Sequence, residues 1–178
     1  GWDIGVEQAL WDGRALASAV YFDNRLTNRI ISTPGSAPGI SRPDNASGVS
    51  RRRGVELGLE ADLTDRLMMR ASYTFTDARG EAGEQLVRRP RHELGLNLNY
   101  AAGDRTTLTL DARGVAGNHD LDFRGNAFTD TPVVRLADYA VVHLAASYRL
   151  NDRADLTARI NNVFNRDYYE VLGYGTQG

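Results

Sequence analysis

Cysteine is absent from the 178 residues, which excludes both a disulfide framework and a thiolate metal site. Long hydrophobic runs are missing too: no stretch approaches the roughly 18 apolar residues of a membrane-spanning helix. An excess of one charge sign is missing: 21 basic residues nearly balance 23 acidic ones, for a formal net charge of -2. No basic run extends beyond Arg51-Arg52-Arg53, so nucleic acid is not an expected partner. The three histidines, His92, His119 and His143, stand far apart in sequence. A catalytic or metal cluster needs several groups converging with defined geometry. His143 and Ser147 share one strand face, where polar residues lining a wet surface account for both. No enzyme, catalytic residue, metal site or cofactor is expected. Helical periodicity is hard to find.

What is present is period-two alternation. Val55, Leu57, Leu59, Ala61 and Leu63 share one face, against Glu56, Gly58, Glu60 and Asp62. Leu94, Leu96, Leu98 and Tyr100 oppose Gly95, Asn97 and Asn99. Ala140, Val142, Leu144, Ala146, Tyr148 and Leu150 oppose Tyr139, His143, Ser147 and Arg149. About eight such stretches follow one another, beginning with a hairpin of Trp2 to Leu10 and Arg14 to about Ile31. The joints near Asp12, Thr64, Gly103 and Asn151 are short and turn-like. Those at 32–50, 79–87 and 117–131 are long. A soluble sheet with one solvated face also alternates, but it has no reason to sort its loops by length. An all-β, antiparallel transmembrane β-barrel wall does, with short periplasmic turns and long extracellular loops. Its strands need only ~9–11 residues and keep alternate positions polar. Trp2, Trp11, Tyr100 and Tyr148 are expected near the short turns, as an aromatic girdle.

The tail narrows this to a family. Asn161-Asn162-Val163-Phe164-Asn165, then Asp167-Tyr168 and Gly173-Tyr174, resembles the end of TonB-dependent outer-membrane receptors. The Gly54-Val55-Glu56 step, the strand end Tyr73 to Ala78, and the segment Phe22 to Ile31 are similar to that family as well. The resemblance implies an outer-membrane receptor for active uptake of a bulky, scarce nutrient. The tail looks most like cobalamin receptors, with siderophore receptors, and so iron transport, close behind. It also implies energy delivered by TonB through a plug, inside a barrel of about 22 strands. Residues 1–178 have room for about eight strands as one partial β-barrel domain, with the plug and closing strand absent. The expectation is therefore a wall fragment. The alternative is a passive porin or a small structural eight-stranded barrel.

Loops carry binding on a rigid wall. The expected cargo contacts are Phe123, Asn126, Phe128, Tyr168, Tyr169 and Tyr174, in the last two long loops. Arg88, Arg89 and Arg91 flank Pro90 and are read first as solvated surface residues, with lipopolysaccharide or an anionic ligand as the alternative contact; outer-membrane lipid and lipopolysaccharide are expected around the wall. Asp120, Asp122 and Asp130 are read as a solvated loop, with loose calcium binding as the minor alternative, since Arg124 and Thr131 stand where a helix-loop-helix calcium loop needs acids.

Overall fold

The computed structural model describes residues 1–37, 39–124 and 131–174. The alternating segments become antiparallel strands: β1 (Trp2–Leu10), β2 (Ala15–Thr27), β3 (Ile30–Pro34), β4 (Ser41–Asn45), β5 (Val49–Thr64) and β6 (Leu67–Arg79). They continue as β7 (His92–Ala101), β8 (Thr106–Ala116), β9 (His119–Leu121), β10 (Val133–Arg135), β11 (Tyr139–Asn151) and β12 (Ala154–Ile160). Eight of them form one sheet in the order β1-β2-β5-β6-β7-β8-β11-β12. Every neighbour in that sheet is also the next long strand in sequence, as in an up-and-down wall. The short turns gather on one rim and the long connections on the other.

Register confirms the faces. Leu59, Ala71, Leu96, Ala112 and Val142 lie in one row across five strands. Glu60, Arg70, Asn97, Asp111 and His143 form the adjacent row on the other face. Leu57, Leu94, Leu144 and Ile160 are exposed, because no packed core covers this face. The buried apolar cluster is correspondingly small: Val115, Tyr139 and Val141. One backbone site on the inner wall admits no side chain. A Cβ on Gly54 would stand 1.9 Å from the Phe75 carbonyl oxygen and 2.7 Å from the Phe22 ring.

The structure corrects three expectations. Trp2 stands at the long-loop rim, opposite Asp23, and not near a short turn; its ring centroid lies 5.4 Å from that of Tyr21. β1 runs from the rim downwards, so its first residue is farthest from the turn at Trp11–Gly13. Trp11, Tyr100 and Tyr148 do lie at the short-turn end. The second strand stops at Thr27, because Asn28 takes a left-handed conformation (φ 54) that breaks the ladder. Beyond it, β3 and β4 pair as a hairpin above the sheet, within what alternation read as a strand end and a loop. The long connection after Gly117 likewise holds the paired β9 and β10.

Candidate functional site

The inner wall carries a ladder of paired polar groups. Arg70 donates to Glu60 (2.9 Å), Asn97 to Asp111 (2.6 Å) and Thr109 to Asn99 (3.0 Å). Arg113 reaches both Glu93 (3.4 Å) and Glu170 (2.5 Å). Of these groups Arg70, Asn97, Asp111, Glu93 and Arg113 edge a concavity of about 680 Å³, with Arg52, Glu56 and His143 also on its lining. Exposed pairs of this kind add little stability each. Their effect is to present fixed charges of both signs to whatever enters.

The tail folds onto the rim of this wall. Tyr168 packs on Tyr139 at 4.4 Å between centroids, against Val115 and Val141. Glu170 accepts from Tyr139 (3.3 Å), and its carbonyl accepts from Asn118 (3.3 Å). Asn162 closes the turn below, donating to the Arg166 carbonyl and accepting from the Arg166 N–H. The His143 ring nitrogen accepts from the Asn162 N–H at 3.2 Å. His143 and Ser147 sit four residues apart on one strand, about 13 Å by strand rise, too far for a hydrogen bond between them.

Asp120 ties three loops together. It is fully buried. It accepts from the Arg88 guanidinium and from the backbone N–H groups of Leu121 and Leu172, each at 2.8 Å. Burial alone would raise its pKa; the two N–H groups and Arg88 outweigh that and hold the carboxyl below its usual range. Nearby loop carboxylates are paired as well. Asp138 is lowered by the Gly117 N–H and, against some burial, by Arg135. Arg124 holds Asp122 at about 2. Arg29, bridging to the loop after β6, holds Glu81 at about 2.

The oxygens of Asp120 are taken by Arg88 and two backbone N–H groups and those of Asp122 by Arg124, which leaves the calcium alternative without ligands at these two residues; Asp130 lies outside the described residues. Among the described residues no group of three or more His, Asp or Glu side chains is placed to hold a metal. Arg88, Arg89 and Arg91 each have a partner within the chain. Arg88 is spent on Asp120, Arg89 donates to the Arg88 carbonyl, and Arg91 lies over the Phe75 ring at 5.8 Å. Of the expected cargo contacts, Phe123, Tyr169 and Tyr174 are exposed in the loops. Tyr168 is half-buried against Tyr139. Asn126 and Phe128 lie outside the described residues. Sequence reasoning missed Asp120 as a structural tie, and missed Glu170 and Arg113 as partners. The D-x-D pattern drew attention to Asp120 but suggested the wrong role.

Comparison with known proteins gives a consistent result. The family model described as TonB dependent receptor-like, beta-barrel matches residues 1–163. The chain is 30% identical over 176 residues to the metal-pseudopaline receptor of Pseudomonas aeruginosa, covering 96% of this chain and 24% of that receptor. It is 28% identical over 127 residues to the vitamin B12 transporter BtuB of Photobacterium profundum, covering 70% of this chain and 19% of that one. Among solved structures it resembles the pyoverdine receptor FpvA of Pseudomonas aeruginosa bound to pyoverdine. That match has a TM-score of 0.77 at 24% identity and covers 97% of this chain and 26% of that one. The chain thus spans about a quarter of the length of the metal-pseudopaline receptor.

Proposed function

The chain belongs to the TonB-dependent receptor β-barrel family, and from that premise we propose that it is wall from an outer-membrane receptor importing a bulky metal chelate. The plug and the strands that would close the barrel come from the rest of such a receptor. Energy arrives from TonB through that plug. The wall carries out no bond chemistry: it supplies a charged vestibule and the loops above it. Lipid and lipopolysaccharide surround its apolar face.

The observation that carries this reading is the contrast between faces. Between its rims the outer face is apolar, with Leu59, Ala71, Leu96, Ala112 and Val142 in one row, whereas the inner face offers Arg52, Arg70, Arg113 and His143 beside Glu56 and Glu93. Fixed charges of both signs suit a large polar cargo better than a stream of small solutes. Phe123, Tyr169 and Tyr174, and with them Asn126 and Phe128, are the proposed loop contacts. The tail's likeness to cobalamin receptors is the competing cargo reading. The metal-pseudopaline receptor aligns over 96% of this chain against 70% for the vitamin B12 transporter, which favours the chelate.

The test is uptake by cells carrying the full-length receptor, with labelled ferric siderophores, metallophore complexes and cobalamin offered in parallel. Saturable, TonB-dependent uptake of a chelate is expected. Saturable uptake of cobalamin alone would move the cargo and keep the transport reading. Free diffusion of small sugars with no saturable ligand would replace it with a porin.

A further inference from the structure

The run Arg51-Arg52-Arg53 does not form one patch. Arg52 faces inward, its guanidinium 5.0 Å from the Phe22 ring centroid. Arg51 and Arg53 share the outward face with Val55 and Leu57. Across the neighbouring strands, Asp23, Arg53 and Asp77 form one outward row, and Arg25, Arg51 and Arg79 form the next. Both rows continue the outward face beyond the row of Tyr21, Val55 and Phe75.

Depth follows from geometry. The two rows lie two and four residues past the aromatic row. At ~3.3 Å per residue and a tilt of ~45°, that is about 5 and 9 Å along the membrane normal. Aromatic side chains mark the membrane–water interface. The headgroup layer beyond the hydrocarbon is about 5–7 Å thick per leaflet. The first charged row therefore sits within the outer headgroups and the second just above them, close enough for long arginine side chains to reach down into the layer.

The charges are arranged unequally. Arg51 grips Asp23 through two nitrogens, and Arg25 stands 3.9 Å from the same carboxylate. Arg53 and Arg79 share Asp77, at 3.2 and 2.8 Å. The two carboxylates are 6% and 13% exposed, while the four guanidinium side chains are 38% to 68% exposed. Four cations over two anions leave two positive charges in excess, with the anions covered and free N–H groups turned outward. Every cation in this chain is arginine, which matches phosphate oxygens through paired N–H groups where lysine offers a point charge.

We propose that the outward patch of Arg25, Arg51, Arg53 and Arg79 binds the phosphates of a phosphorylated glycolipid in the outer leaflet. This rests on the outer-membrane reading and is independent of the cargo. Asp23 and Asp77 hold the guanidinium groups splayed at headgroup height, so the site is preorganised for a bisphosphorylated headgroup.

The test uses the full-length receptor in nanodiscs. Retention of bisphosphorylated lipid A is compared with retention of dephosphorylated lipid A of the same acyl composition, read by native mass spectrometry. The key variant is R25Q/R79Q. It removes the excess charge yet leaves Asp23 paired with Arg51 and Asp77 paired with Arg53, so no buried carboxylate is orphaned. Affinity for the phosphorylated lipid should fall about 30-fold, at ~1 kcal/mol per arginine near a lipid surface. R25Q alone, which releases a long contact to Asp23, should lose about fivefold. R105Q/R153Q, at the short-turn rim, removes equal charge and should change nothing. Equal retention of both lipids by the native receptor would overturn the proposal. So would an equal loss from R105Q/R153Q, which would reduce the effect to bulk charge. Cargo uptake is a separate readout, so failure here leaves the transport reading standing.

Discussion

Replacing Asp120 by asparagine tests whether one buried carboxylate organises the extracellular loops. The carboxylate receives three donors, from Arg88, Leu121 and Leu172. The amide keeps one oxygen and substitutes an N–H₂ group for the other, so one acceptor is lost and the ion pair disappears. Hydrogen bonds to charged groups contribute ~1.5–3 kcal/mol each. The Arg88 side chain is 46% exposed, so once released it returns to water without a large desolvation cost. The expected loss is ~2–4 kcal/mol of local opening free energy, less than the cost of stranding a wholly buried partner. At 1.4 kcal/mol per tenfold, amide exchange at Leu121 and Leu172 should accelerate roughly 30- to 700-fold. Amides of β7 and β8 should not change, because the sheet ladder does not pass through Asp120. Unchanged exchange at Leu172 would refute the tie. A uniform acceleration across the sheet would refute its local character. The pH dependence gives a second check. The folded-state pKa is depressed, so the stabilisation is complete above the ordinary carboxylate range, near 3.9, and is lost as pH falls through the lower folded value. Protease susceptibility of residues 166–174 should therefore stay flat from pH 8 to about 5 and rise below about 4.

Four other expectations follow from the same geometry. Leu96→Arg should cost ~2–4 kcal/mol in a refolding titration if it sits near the bilayer midplane, whereas Asn97→Arg, on the wet face, should be mild; equal effects would contradict the face assignment. Gly54→Ala should destabilise by at least ~1–3 kcal/mol, since the added Cβ meets the Phe75 carbonyl oxygen and the Phe22 ring; an unchanged heat-modifiable gel shift in rising urea would count against it. Arg29 holds Glu81 at about 2, so the bridge between the hairpin and the loop after β6 should persist from neutral pH down to about 4 and weaken toward 2, as read by crosslinking between those loops. Tyr169→Ala with Tyr174→Ala should lower cargo affinity in the full-length receptor while leaving barrel migration on gels intact.

Strand existence and facing were legible because period two leaves no freedom: a slip of one residue would turn every leucine of a strand to the wet side. Leu96 and Asn97 could be assigned from their neighbours alone. Level along the strand was not legible in the same way. Alternation says which face Trp2 occupies but not which rim, and the rim depends on where β1 pairs with β2. The loop ties were hidden for a different reason. Arg113 meets Glu170 across 57 positions, and Asp120 meets Leu172 across 52. No local pattern encodes such pairs; they exist because the tail packs its Tyr168 onto Tyr139 and brings Glu170 with it. A D-x-D motif read in isolation suggests a cation, yet in the folded chain the cations are Arg88 and Arg124.

The arginine triplet shows how the same periodicity can mislead. Read as a string, Arg51-Arg52-Arg53 is a basic run, and its neighbours in sequence look like its neighbours in charge. In a strand, consecutive residues diverge by half a turn, so the triplet contributes two cations to the lipid side and one to the lumen. Its true electrostatic neighbours are Asp23 and Asp77, 28 and 24 positions away, brought level by the register of β2 and β6 on β5. Those two carboxylates decide the character of the site. Without them, four guanidinium groups within a few ångströms would repel one another and spread. With them, the excess charge is reduced to a fixed pair held at one height. Preorganisation of this kind lowers the ordering cost of binding a headgroup that already lies in the membrane plane. A surface evolved for solubility alone has no need to bury its anions and leave its cations bare.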